Sequence, residues 1–326
     1  MNRWLVQARL LGPGFAALLA ADACAAEPFA FITNQGDNTV SVLDLSGSLG
    51  AGRLAATIPV GKAPAGVAVT RDGRRAVVTN PEGKDVTLID TVQQRVLRQV
   101  PVGEGPLGIA LSPSGDRVYV ADWYQDLVYV LDGESLDEIA RIPVGDSPSG
   151  LAVNPAGDRL YVSERDDDRL SVIDTLTHRV LGRVKVGQRP FGIQVDPGGE
   201  RLYTANVGSN DVSVVDLARL SVSATIPVGS TPYAVALTAD GRRAFVTNQH
   251  DNSVSVIDTA AGRVIHVIPV GEYPEGILVG PDSRVYVVNW FSNEVLVLDA
   301  AGLTVIGRIP TGDGPRGFGI FIAGGT

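Results

Sequence analysis

One short pattern recurs seven times along the chain, opening at Phe31, Val77, Tyr119, Tyr161, Tyr203, Phe245 and Tyr286. The copies read "FITN", "VVTN", "YVAD", "YVSE", "YTAN", "FVTN" and "YVVN", at spacings of 46, 42, 42, 42, 42 and 41 residues. A unit of this size cannot bury both of its faces alone, so it must stack on its neighbours. Short strand-like runs at a fixed period, with no helical pattern between them, specify propeller blades. The sixth unit shows the runs clearly as "FVTN", "SVSVID", "RVIHVIPV" and "EGILVG". Apolar stretches such as "LVYVLD" are nearly continuous, as expected of sheets covered on both sides.

The expected architecture is therefore an all-β, seven-bladed β-propeller with four antiparallel strands per blade. The run after each proline is the innermost strand of the next blade. The first unit starts at Phe31 with a second strand, so its inner strand is missing, whereas "GFGIF" (Gly317 to Phe321) is an inner strand without successors. Joining the C-terminal strand to the first blade closes the ring.

Two repeated features are assigned to the scaffold. An aspartate closes the third strand at Asp44, Asp90, Asp132, Asp174, Asp216, Asp258 and Asp299. Its recurrence in every blade points to a turn in which the carboxylate accepts backbone N–H bonds, not to catalysis. The motif "VGxxPxG" recurs between blades, with glycine for close approach and proline to fix φ. No helix follows these glycines and no P-loop lysine accompanies them, so they are not phosphate cradles.

Residues 1–26 read as a secretory signal peptide, with Arg3 and Arg9 before an apolar run and small residues around Cys24. The run is too short to span a bilayer, and no later stretch reaches spanning length. Residues 27–326 form the single propeller domain. Removing residues 1–26, which carry one net positive charge, takes the formal charge from −9 to −10. Cys24 is the only cysteine, and "ADA" before it is a poor lipobox, so no lipid anchor is expected. The mature chain then has no disulfide and no thiolate chemistry. Export without disulfides suits a periplasmic or secreted protein, expected to be monomeric.

These repeats resemble the YVTN-repeat β-propeller family. "FVTNQHDNSVSVIDTAAGRVIHVIPVGEYPEG" carries the pattern almost throughout, and the resemblance covers the whole mature chain. It implies an exported binding or scaffold propeller and says little about activity. Departures are small: "YVAD" and "YVSE" replace the final asparagine, and Ala234 replaces a glycine.

Positions that differ between copies are the candidates for function. After the second strand most blades carry polar turns, but blade three has Trp123 and Tyr124 and blade seven has Trp290 and Phe291. The residue after the crossover proline is Ala65, Leu107 or Ser149 in early blades, then Phe191, Tyr233, Glu275 and Arg316. Arg189 and Tyr273 precede two of these prolines. Both loop sets face one end of the ring, around the mouth of the central channel. Aromatics beside arginine make a typical recognition surface; the bland alternative is a lid, with Trp290 lying on Tyr273 to cover the core.

The expected ligand- or partner-binding residues are thus Trp123, Tyr124, Arg189, Phe191, Tyr233, Tyr273, Trp290, Phe291 and Arg316. Of three histidines, only His250 shares this end with Glu275, an alternative acid/base pair for a lactonase-like hydrolase or lyase. Single-stranded nucleic acid stacking on the aromatics is a third reading, opposed by the negative charge. No metal site is expected: "RDDDR" (Arg165 to Arg169) lacks the ligand spacing of a calcium loop. No cofactor is expected either. There is no CxxCH for covalent haem, and a d1-type haem would need His250 as axial ligand. The leading expectation is a non-catalytic scaffold for an unidentified small molecule or periplasmic protein.

Overall fold

The computed structural model describes residues 29–47, 52–323 and 325; the expected signal peptide and Cys24 lie outside them. Seven four-stranded antiparallel sheets stand around a central channel, which is the expected propeller. Blade 1 runs, from the axis outward, Pro315–Arg316, Phe29–Asn34, Thr39–Asp44 and Arg53–Pro59. Blade 2 begins with the inner strand Val67–Val69 and blade 3 with Pro106–Leu111. The inner strands of blades 4 to 7 are Pro148–Val153, Pro190–Val195, Pro232–Leu237 and Pro274–Val279. Inner, second and third strands are almost wholly buried, while the outer strands are largely exposed. Neighbouring sheets share apolar clusters, as where Phe245 of blade 6 packs with Val287 of blade 7.

The chain's end does join its beginning, but not as one continuous strand. Arg316 pairs with Thr33 and Pro315 with Asn34, after which the ladder is interrupted. Residues 317–320 swing across to blade 2, where the Val67 N–H donates to the Phe318 carbonyl at 3.0 Å and the Val69 N–H to Ile320 at 2.8 Å. The chain then returns: the Phe31 N–H donates to Phe321 at 2.9 Å, and Ala30 bridges Ile322. Glycine makes the detour possible. Gly319 sits at φ 125°, and a Cβ there would lie 2.4 Å from the Val67 carbonyl oxygen.

The repeated positions explain themselves. The last residue of the second strand is buried in every blade, and Asn34, Asn80, Asn206 and Asn248 each donate to a hydroxyl seven residues on. The crossover glycine must lie against this side chain: a Cβ on Gly229 would fall 2.5 Å from Asn248 Cγ. Glu164 fills the same place in blade 4, accepting from the Gly145 N–H at 2.8 Å.

The aspartates of the third strands form the expected turns. Asp132, for example, accepts from the N–H groups of Glu134 and Ser135, and these bonds hold its carboxyl below the usual range. At the opposite end a left-handed residue in the turn after each second strand clasps the next crossover. Asn38, Asp126, Asp168, Asn210, Asn252 and Asn293 accept from the N–H of Ala63, Ser147, Arg189, Thr231, Tyr273 and Gly314. In blade 2 this place belongs to Lys84, which has no acceptor and instead pairs with Glu104 on the surface.

Candidate functional site

In every blade but the second the inner strand starts at the crossover proline, so the residue after that proline stands at the channel mouth. The turn after each second strand is tied down beside it: the Trp290 N–H donates to the Tyr273 carbonyl at 3.1 Å, and the Trp123 N–H to Gly105 at 3.0 Å. Backbone bonding on both loops thus holds their side chains over one end of the ring.

Most of the expected residues form one connected line across this mouth. Phe291 stacks on Trp290 at 4.9 Å, and Tyr273 meets Trp290 edge-on at 5.5 Å. The Arg316 guanidinium lies 5.3 Å from the Trp290 ring centre and donates to the Tyr233 hydroxyl at 3.0 Å. Tyr233 packs on Phe191 at 4.2 Å, and Phe191 faces Trp123 at 6.1 Å. Beyond Trp123 stands Arg165, 5.5 Å from its ring centre. Phe191 thus joins Trp123 to the other aromatics of the mouth.

Exposure divides the line in two. Phe191, Tyr233 and Glu275 are buried, while Tyr124 and Phe291 are 74% and 60% exposed. Phe318 from the C-terminal detour adds a ring 4.9 Å from Phe191 and 6.1 Å from Tyr233. Phe191, Tyr233 and Phe318 therefore fill the channel at this end, and the surface available to a partner is the aromatic rim above them. Trp290 does lie against Tyr273, as the lid alternative requires, yet Phe291 stacked on it faces solvent.

Under the rim is a buried charged network. Arg316 Nε donates to Glu275 at 2.6 Å, Nη2 donates to the other carboxylate oxygen at 3.2 Å, and Gln249 donates to Glu275 at 3.3 Å. Burial works against the Arg316 charge, but Glu275 and Tyr233 outweigh it and keep the guanidinium protonated. Burial raises the Tyr233 hydroxyl far above the ordinary phenol range, and the Glu275 charge raises it further.

Two expected groupings are looser. The Arg189 side chain is exposed, and its N–H is clasped by Asp168 at 2.8 Å. His250 Nδ1 lies 2.9 Å from the Thr231 hydroxyl, with its ring 5.7 Å from Tyr273. Glu275 is engaged by Arg316 and Gln249, and no contact between His250 and Glu275 is found among the described residues. In the "RDDDR" turn, Asp166 accepts from the Ser147 hydroxyl, Asp167 from the Asp146 N–H and Asp168 from Arg189. Its carboxylates are spent on holding the turn.

Sequence reading missed Phe318, Gln249 and Arg165. Phe318 was placed in a regular strand, and nothing in "GFGIF" besides its paired glycines signals the detour. It also missed a cavity of about 430 Å³ at the other end of the channel, running from Gly150 and Gly192 down to the turns at Pro113, Pro155 and Pro197.

A profile of the YNCE-like β-propeller family matches residues 197–281. No curated protein sequence matches significantly. Among solved structures, Kuenenia stuttgartiensis hydrazine synthase is similar at 26% identity and a TM-score of 0.71, over 78% of this chain and 88% of that one. A functionally unknown protein from Desulfotomaculum acetoxidans matches at 15% identity and a TM-score of 0.76, over 88% of this chain and 98% of that one. The dihydro-heme d1 dehydrogenase NirN, in complex with DHE, matches at 18% and 0.68, over 89% of this chain and 74% of that one. The last two show the fold alone.

Proposed function

The chain is a seven-bladed β-propeller of the YVTN type, and from that premise we propose that it is a non-catalytic binding protein whose recognition surface is the crossover face. The observation that carries this reading is the stack of Tyr273, Trp290 and Phe291, braced from below by Arg316. Aromatic rings fixed by their neighbours offer contact area at little cost in conformational entropy, which is how recognition hot spots are built. Tyr124 is the second exposed ring of the same face. The partner is a protein or small molecule of the compartment to which residues 1–26 direct the chain, the periplasm in this reading. The acidic composition disfavours nucleic acid.

An acid/base site is less well supported. Glu275 is neutralised by Arg316, and His250 is turned to Thr231. A haem of the kind named for NirN does not fit the mouth, because Phe191, Tyr233 and Phe318 occupy it.

The test compares wild type with the double variant Tyr124→Ala, Phe291→Ala by quantitative mass spectrometry of co-purified molecules. Both side chains are exposed, so the melting temperature should hold. Loss of a partner retained by wild type supports a binding face. The same partners on both proteins would defeat it, and a turnover lost only in His250→Ala would favour the enzyme.

A further inference from the structure

The cavity at the far end of the channel has an uncommon wall. Side chains of the blade 4 inner strand turn sideways into the clusters between blades, Leu151 and Val153 to one side and Ala152 to the other. What faces the axis is therefore main chain. The Asn154 N–H bonds the Arg159 carbonyl at 3.0 Å, and antiparallel alternation then puts Ala152 on the same ladder. It turns the N–H and carbonyl groups of Leu151 and Val153 toward the channel. The equivalent N–H groups in blade 2 belong to Val67 and Val69, and they donate to the carbonyls of Phe318 and Ile320. The molecule thus already holds one apolar, amide-bearing segment against an inner strand.

Blade 4 stands two places round the ring from blade 2, and its inner strand is the most open. Leu151, Ala152, Val153 and Asn154 are all half-buried, whereas residues 235–237 and 277–279 of blades 6 and 7 are buried. Ile320, 40% exposed, adds an apolar wall, and Asn154, Gln194, Arg71 and Asp196 stand around the opening. A volume of about 430 Å³ is within the range of small-molecule sites. Apolar walls penalise a buried charge, while unpaired main-chain groups reward a matching donor and acceptor.

We propose that this cavity is a second binding site, for an uncharged apolar molecule carrying amide groups, which pairs with Leu151 and Val153 as an added strand. The site is separate from the crossover face and does not depend on how that face is used.

The probe is N-acetyl-leucine N-methylamide, a neutral molecule with two amides and one apolar side chain. Titration into wild-type protein, followed by NMR and amide hydrogen exchange, should show saturable binding and slowed exchange at Leu151 and Val153. Val153→Pro removes the channel-facing N–H without touching the ladder to the second strand, as proline permits at a strand edge. Losing that hydrogen bond should weaken binding about tenfold relative to Val153→Ala, which keeps the N–H and loses the same packing. Absence of binding to wild type at millimolar probe overturns the proposal, as does equal affinity of the two variants. Exchange protection that appears at Phe291 and not at Leu151 also overturns it, and that readout needs no variant to fold.

Discussion

Replacing Arg316 by methionine should destabilise the whole ring. Glu275 is 2% exposed and the Arg316 side chain 14%. Without the guanidinium, the carboxylate keeps only the 3.3 Å bond from Gln249. Removing one partner of a buried pair costs about 3–5 kcal/mol, because the other charge is left uncompensated. That is a large share of the ~5–15 kcal/mol that holds an ordinary domain together. Lys62–Glu82 supplies the control, with side chains 68% and 59% exposed; such a surface pair contributes about 0–1 kcal/mol. Equilibrium urea unfolding of Arg316→Met, Lys62→Met and the double variant Glu275→Leu, Arg316→Met gives the comparison. Removing both charges together should recover most of the loss, since an apolar replacement of a buried pair is often neutral. A loss below about 1 kcal/mol for Arg316→Met would refute the reasoning. So would a double variant no more stable than Arg316→Met alone.

Deleting residues 317–326 removes Phe318, Phe321 and Ile322, all at most 7% exposed. At about 1.5–3 kcal/mol for each buried side chain, the melting temperature should drop sharply; an unchanged value would show that the tail does not close the ring. Gly229→Ala should destabilise the joint into blade 6, because the new Cβ would meet Asn248 Cγ at 2.5 Å; urea unfolding reads the loss. Asp132, Asp174 and Asp216 have carboxyls lowered by turn hydrogen bonds. Their contribution is complete above the unfolded value of about 3.9 and is lost as pH falls through the lower folded values. Stability should therefore decline below about pH 4, less steeply once all three are replaced by asparagine.

The fold was legible because the signal is multiplied. Seven copies of one strand, each followed by an aspartate turn and a glycine–proline crossover, leave little freedom to the backbone. The site was legible only where copies differ: Phe191, Tyr233, Trp290 and Arg316 stand out against Ala65 and Ser149 at corresponding loops. What spacing did not reveal was depth. Phe191 and Tyr233 occupy the same position as Ala65, and only the packing shows that large rings there fill the channel instead of lining it. The lower cavity was invisible for a different reason. Its wall is backbone, and residue identity carries almost no information about which edge of a strand is left open.

Lys84 has a consequence for how the closed circle breathes. Six of the seven joints are stitched by a side-chain oxygen reaching to the next crossover, whereas the joint between blades 2 and 3 is bridged there by the exposed Lys84–Glu104 ion pair, a weaker link that salt screens. A ring under uniform thermal agitation parts first at its weakest seam. Fluctuation that admits solvent between neighbouring sheets is thereby directed to one place, on the side of the ring away from the Trp290 stack.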